Sequence, residues 1–274
     1  MTHPGFSALL LIHGDEHPAY VEECLQALVA QSWQPARVVV VSMGLPPPEL
    51  EAVFSQGDPT LPLTRLAVDP HVSEGAALAA GFDACEDEFV AHVDPHSVSQ
   101  PWRFERQVGF LQQNLQFHIC GSALWEVEPD TLQTITRRAV PETDAAVAAM
   151  LPYRNPFNHQ TVVLRRDAAL ACGGYGGLPY AEDYFLWLRM LAGDGKGWNL
   201  QDELVLSRRG TGLLHRAHGS QHVPTEYRLY RAKRRLHLHH AVGAAAVFVV
   251  RLVSQLPPAS WFARAGRRRR RSRQ

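Results

Sequence analysis

At 274 residues, with 46% apolar and 20% charged side chains, the chain has an ordinary globular composition and can bury a substantial core, which excludes a disordered protein. The net charge of zero conceals a segregation: 13 of the 27 Lys/Arg but only one of the 27 acids lie from Thr225 onward, so that end carries +12 and residues 1–224 carry −12. An acidic body thus precedes a tail suited to a polyanionic partner.

Ala8–Ile12 is a solid apolar run that ends in His13-Gly14-Asp15-Glu16, the pattern of a strand buried on both faces entering a loop. Tyr20, Val21, Cys24, Leu25, Leu28 and Val29 recur at helical spacing between Pro18 and Gln31. Arg37–Val41 reads as a second strand, Glu49–Phe54 as a short helix after three prolines, and Leu63–Val68 as a third strand. Glu74–Cys85 is an Ala-rich helix, and Glu88–Val93 a strand that delivers Asp94 at its end. Such alternation predicts parallel βαβ units, with ligands beyond the carboxyl ends of the strands, where His13–Glu16, Ser42–Gly44 and Asp94–His96 would meet.

Arg103–Gln113 reads as a helix and Phe117–Trp125 as an apolar segment, followed by a polar, loop-rich stretch, Val127–Asp144. Thr161–Leu164 is the next expected strand, then a Gly-rich turn at 173–177 and a helix, Ala181–Leu191, that begins with two acids near its dipole's positive end. The four cysteines lie far apart without metal-like spacing, and Met1–Ser7 lacks the basic residues of a secretory leader. Reduced thiols in a cytoplasmic protein are therefore expected.

Four stretches resemble family 2 glycosyltransferases of bacterial surface-polysaccharide pathways. They are Tyr20–Leu25 running on to Ala30-Gln31-Ser32-Trp33; Val93–Ser99 with Pro101, Arg103, Phe104 and Gln107; Asn155–Val162 followed by Gly173-Gly174-Tyr175; and Ala181–Arg189. They occur in the family's order over about residues 6–210. The resemblance implies a GT-A fold: an α/β, Rossmann-like, mixed but mostly parallel sheet flanked by helices. It also implies a nucleotide-diphosphate sugar donor, with donor contacts from His13, Asp15, Ser42, Gly44, Asp94 and Pro95.

By the same resemblance, Asp183 of Glu182-Asp183 is the catalytic base of an inverting enzyme, and His159 and Glu182 lie on the acceptor side. The family's D-x-D motif reads Asp94-Pro95-His96 here, so Asp94 and His96 become the expected ligands of Mn²⁺ or Mg²⁺, with imidazole favouring Mn²⁺. Read alone, these residues fit blander roles: Asp94 capping a turn, His159 a structural histidine, and Glu182-Asp183 stabilising a helix start.

Three departures from the pattern stand out: Ser42-Met43-Gly44 where an acidic motif is usual, His96 and Ser97 in place of acids, and Arg208-Arg209-Gly210 without the usual histidine unless His215 replaces it. They leave open a second reading, a GT-A-fold scaffold or partner subunit without donor binding.

The division expected is a transferase domain, 1–215, and a basic amphipathic tail, 216–274. Ala241–Val250 is too short to span a bilayer, so an interfacial helix aided by Arg267–Arg271 is expected on the anionic inner face of the cytoplasmic membrane. A lipid-linked or glycan acceptor suits that location. Nucleic acid is not an expected partner.

Overall fold

The computed structural model describes residues 5–176, 178, 180–210 and 222–238. Two compact units divide the chain, Met1–Gly219 and Ser220–Gln274.

In the first unit, four strands form a parallel block: β1 (Phe6–Ile12), β2 (Arg37–Met43), β3 (Leu63–Val68) and β4 (Phe89–Val93) stand in the order β3-β2-β1-β4. Their connections are α1 (Pro18–Val29), α2 (Pro48–Ser55) and α3 (Glu74–Ala84). The register sets Leu10 beside Val40 and Val93, so the three strands deliver His13, Gly44 and Asp94 at one edge, as the apolar runs predicted.

The strand side chains alternate between two buried faces. Phe6, Ala8, Leu10 and Ile12 pack with Val21, Cys24 and Leu28 of α1, Leu50 and Phe54 of α2, and Phe104, Val108 and Leu111 of α4 (Arg103–Gln113). On the opposite face α3 lies very close to the sheet. A Cβ built on Gly81 would clash with Val41 and sit 2.6 Å from Leu9 Cδ1, which explains a glycine at that contact in an Ala-rich helix.

The second half extends the sheet with mixed polarity. β5 is Ser97–Ser99, β6 Phe117–Val127, β7 Thr134–Arg138, β8 Val163–Arg165 and β9 Lys196–Arg208. The order continues β4-β8-β6-β9-β5, with β8 antiparallel to β4 and β6, and β9 parallel to β6. α5 (Asp144–Met150), α6 (Arg166–Ala171) and α7 (Glu182–Met190) complete the unit. The polar stretch expected to be loop therefore holds an exposed edge strand, β7, and the start of α5. The strand expected at Thr161–Leu164 begins at Val163, because His159–Thr161 forms a 3₁₀ turn.

The second unit contributes α8 (His222–Arg235), whose last turn carries Lys233, Arg234 and Arg235, where the helix dipole favours cations. His215, the apolar stretch 241–250 and the arginine run 267–271 lie outside the described residues. No helix among the described residues is long and apolar enough to cross a membrane. The four cysteines are free thiols.

Candidate active site

A cleft opens at the carboxyl ends of β1 and β4 and is lined by His13, Glu16, Glu74, Asp94, Pro95, His96, His159 and Glu182, among others.

The loop after β1 is shaped by Glu16. Its buried carboxylate accepts from the backbone N–H of His13 and of Gly14, both at 2.8 Å, and Gly14 takes a φ of +95° that favours glycine. His13 then reaches across to Glu74 at the start of α3, Nε2 to Oε1 3.3 Å. Asp15 is exposed and does not line the cleft. Ser42 is buried in β2 opposite Ile12, and Gly44 turns the chain at φ +87°; neither lines the cleft.

After β4, Asp94 caps its own turn: Oδ1 accepts from the His96 N–H at 2.8 Å and from Ser97 Oγ at 3.4 Å. Oδ2 makes none of these turn contacts. His96 Nδ1 is buried without a hydrogen-bond partner among the described residues, an orphan a ligand would satisfy. One carboxylate and one imidazole fit a divalent cation whose remaining positions come from substrate phosphates and water. No cluster of three protein donors gathers among the described residues, so the protein alone does not form a closed cage. Arg208 fixes this turn from behind. It is buried, donates to the carbonyls of His96 (3.4 Å) and Pro129 (2.8 Å), pairs with Glu23 and stacks 4.2 Å over Tyr20.

The Glu182 side of the cleft is organised by α7. Ala181 precedes it in the left-handed region, φ +55°, a conformation unusual for a residue with a Cβ. A Cβ on Gly75 of α3 would clash with Gly176 O and lie 3.0 Å from Glu182 Cβ, so the Gly-rich turn and α3 confine Glu182. Asp183 Oδ2 accepts from Asn155 Nδ2 at 2.7 Å and stands 3.5 Å from His159 Nδ1, while Oδ1 accepts from the Tyr184 N–H. His159 packs on His92 at 4.6 Å between ring centres, and His92 in turn bonds Tyr175 through Nε2 at 2.6 Å.

These contacts set the charges. Burial pushes Asp183 up, but His159, the Tyr184 N–H and Asn155 outweigh it and hold the carboxyl below its ordinary value. Burial and the neighbouring Asp183 raise Glu182 to about 8. Burial pulls His159 down, yet Asp183, Glu182 and Asp94 together lift it to about 8. Burial keeps His92 neutral.

Stability follows from these signs. Both His159, raised above 6.5, and Glu182, raised above 4.5, bind protons more tightly when folded. Their contribution is present at low pH and is lost as pH rises through about 8. The melting temperature is expected to fall between about pH 6 and about pH 9, by an amount corresponding to ~1 kcal/mol or more. Glu182→Gln is expected to flatten that slope; an unchanged slope in this variant would refute the assignment.

Glu16, Glu74, His92 and Asn155 carry site geometry that the sequence did not assign. Their signals were present: Glu16 in the loop after β1, Glu74 behind the Ser73 cap, His92 before Asp94, and Asn155 opening its motif.

A four-stranded parallel block continued by mixed strands, with a cleft of carboxylates and histidines at its carboxyl edge, defines a GT-A glycosyltransferase fold. The sequence profile of glycosyltransferase like family 2 matches residues 9–273, and the chain belongs to that family. An uncharacterized glycosyltransferase of Haemophilus influenzae is 33% identical over 93% of this chain and 95% of its own length. The amylovoran biosynthesis glycosyltransferase AmsE of Erwinia amylovora is 30% identical over 92% and 94%. UDP-Gal:alpha-D-GlcNAc-diphosphoundecaprenol beta-1,3-galactosyltransferase of Escherichia coli is 28% identical over 84% of each chain. Among solved structures, S. aureus TarS 1-349 in complex with UDP-GlcNAc superposes with a TM-score of 0.66 at 15% identity, covering 89% of this chain and 70% of that one, a likeness of fold.

Proposed function

We propose that this glycosyltransferase moves a sugar, with inversion, from a nucleotide-diphosphate donor to a lipid-linked or polysaccharide acceptor in bacterial cell-surface glycan synthesis. The observation that carries the reading is Asp183, a largely buried carboxylate held ionised by Asn155, His159 and a backbone N–H beside the Asp94–His96 cleft. The relatives named for amylovoran and for a diphosphoundecaprenol acceptor support the pathway class.

In this reading the donor diphosphate lies at the end of β4, against Asp94, Pro95 and the loop that Glu16 shapes. Asp94 and His96 would hold Mn²⁺ or Mg²⁺, which when bound neutralises charge on the leaving diphosphate. Asp183 takes the proton of the acceptor hydroxyl as that oxygen bonds the anomeric carbon and the bond to the diphosphate breaks. His159, cationic at neutral pH, keeps Asp183 deprotonated and ready. Protonated Glu182 donates a hydrogen bond to a sugar hydroxyl without placing a second negative charge there. The tail's +12 suits the anionic inner face of the cytoplasmic membrane, where a lipid-linked acceptor resides.

Calorimetric titration with UDP, GDP and TDP, with and without Mn²⁺, tests the donor half. One nucleotide is expected to bind with metal, and Asp94→Ala to weaken it at least about tenfold. Folded protein that binds none of the three would favour the scaffold reading.

A further inference from the structure

The Asp94–His96 turn is held differently at its two ends. Asp94 is fixed within the turn and by α1: its carboxylate accepts the His96 N–H, and its carbonyl accepts the Ser97 N–H at 3.0 Å and Cys24 Sγ at 3.5 Å. The His96 ring has no such fastener at Nδ1, which is buried without a hydrogen-bond partner among the described residues. Packing must therefore aim it. The contacts behind a metal ligand set its direction, and loosening them weakens the metal site.

Two side chains supply that packing. The Tyr20 ring stands edge-on to the His96 ring, 6.5 Å between centres at 79°, a favourable arrangement of ring quadrupoles. The Arg208 guanidinium lies 4.2 Å from the centre of the same Tyr20 ring. It also donates Nη1 to the His96 carbonyl at 3.4 Å, beside the Arg208 N–H at 3.3 Å. His96 is thus gripped by ring and by backbone.

The grip is itself anchored. The Tyr20 hydroxyl donates to Asp130 at 2.8 Å and Arg208 Nε to the Pro129 carbonyl at 2.8 Å, so the turn between β6 and β7 backs both side chains. Arg208 also pairs with Glu23, three residues from Tyr20 on the same face of α1. Its side chain is 1% exposed, and a cation buried that far is costly unless its donors are met. Pro129, His96 and Glu23 meet them. A lysine would keep the charge but not the planar fork that reaches three acceptors in fixed directions.

We infer that Tyr20 and Arg208 are positioning residues for His96, aiming its imidazole at the cation beside the donor diphosphate. The inference rests on the reading of Asp94 and His96 as metal ligands, and it gives the Tyr20–Leu25 stretch a part in donor binding.

The test is a double-mutant cycle on the full chain, read by calorimetry with UDP, GDP and TDP in the presence of Mn²⁺. His96→Ala sets the benchmark, a loss of nucleotide affinity of at least about tenfold, and Tyr20→Ala should lose about tenfold as well. Tyr20→Phe keeps the ring and should bind near wild type, while Arg208→Lys should lose as Tyr20→Ala does. The double variant Tyr20→Ala/His96→Ala should bind no more weakly than His96→Ala alone, because a positioning residue has nothing to act on once its target is gone.

If Tyr20→Ala binds as wild type while His96→Ala does not, the positioning role is wrong and the metal reading stands. Losses that add in the double variant would show Tyr20 acting independently of His96, which also overturns the role. If wild type binds no nucleotide with Mn²⁺, or His96→Ala binds as well as wild type, the reading of His96 as a ligand fails and the inference with it.

Discussion

Asp183→Asn is expected to lower sugar transfer by about 10²–10⁴-fold, the usual contribution of a positioned general base, while nucleotide affinity stays within about twofold of wild type. The isosteric amide keeps the shape of the site but cannot take the acceptor proton. Loss in kcat with binding intact separates this role from a structural one, because a collapsed site would lose nucleotide as well. Turnover near wild type in a folded Asp183→Asn protein would remove Asp183 from the mechanism.

The pH profile gives a second readout. Asp183 is held below its ordinary value in part by the positive charge of His159, 3.5 Å away. His159→Gln removes the charge, so the acid limb of the rate profile should move to higher pH. In wild type that limb is expected below the ordinary carboxylate value. A limb that stays in place would mean that Asn155 and the Tyr184 N–H alone set the ionisation of Asp183.

The parallel half of the sheet was legible because three of its four strands, β1, β2 and β4, are buried on both faces. Runs such as Leu9-Leu10-Leu11-Ile12 and Val38–Val41 admit few other readings once breakers bound them. The second half was less legible for a physical reason. β7 reads Thr-Ile-Thr-Arg-Arg at an exposed edge, β5 is three residues long, and β9 mixes Asn, Gln, Asp and Glu among its apolar positions. Those strands are specified by β6, which they pair with directly or through β9, and not by their own periodicity.

At the site, motif and role came apart. Asp94, His96, His159 and Glu182 line one cleft, with Asp183 beside His159, but the loop's inward acid is Glu16, and the residues before and after Met43 stand outside the cleft. Alternation alone does not tell which acid of an Asp-Glu pair turns inward when Gly14 redirects the backbone. Other matching residues prove to be fasteners. Gln31 donates to the carbonyls of Ala27 and Gln100, the Ser32 N–H bonds the Pro101 carbonyl, and together they tie α1 to the loop before α4. Trp187 is buried in the core. Arg208 is buried behind His96, and Arg209 faces Glu126 at 3.5 Å.

The strongest of these fasteners is Gln107. Gln107→Leu is expected to cost about 3–5 kcal/mol, although leucine is apolar, of similar volume and a good helix former. Gln107 is fully buried on α4, and its amide donates to the carbonyls of Cys120 (3.0 Å) and Thr161 (2.7 Å) while its oxygen accepts from Arg103 Nε (3.1 Å). Arg103 is buried too, bonded to Ser99 Oγ and the His92 carbonyl, and burial pulls it down to about 9, still cationic at neutral pH. Removing Gln107 takes a donor from two interior carbonyls and an acceptor from a buried cation, each worth roughly 1–3 kcal/mol and not strictly additive. The loss corresponds to a melting temperature lower by about 10 °C in a domain of this size. Gln112→Leu makes the same chemical change on an exposed position of the same helix and is expected to stay within about 0.5 kcal/mol of wild type. Equal effects of the two substitutions in denaturant melts would mean that the Arg103–Gln107 network contributes no net stability. A large gap would place it among the contacts that hold His92 and the Thr161 turn, and through them His159, beside Asp183.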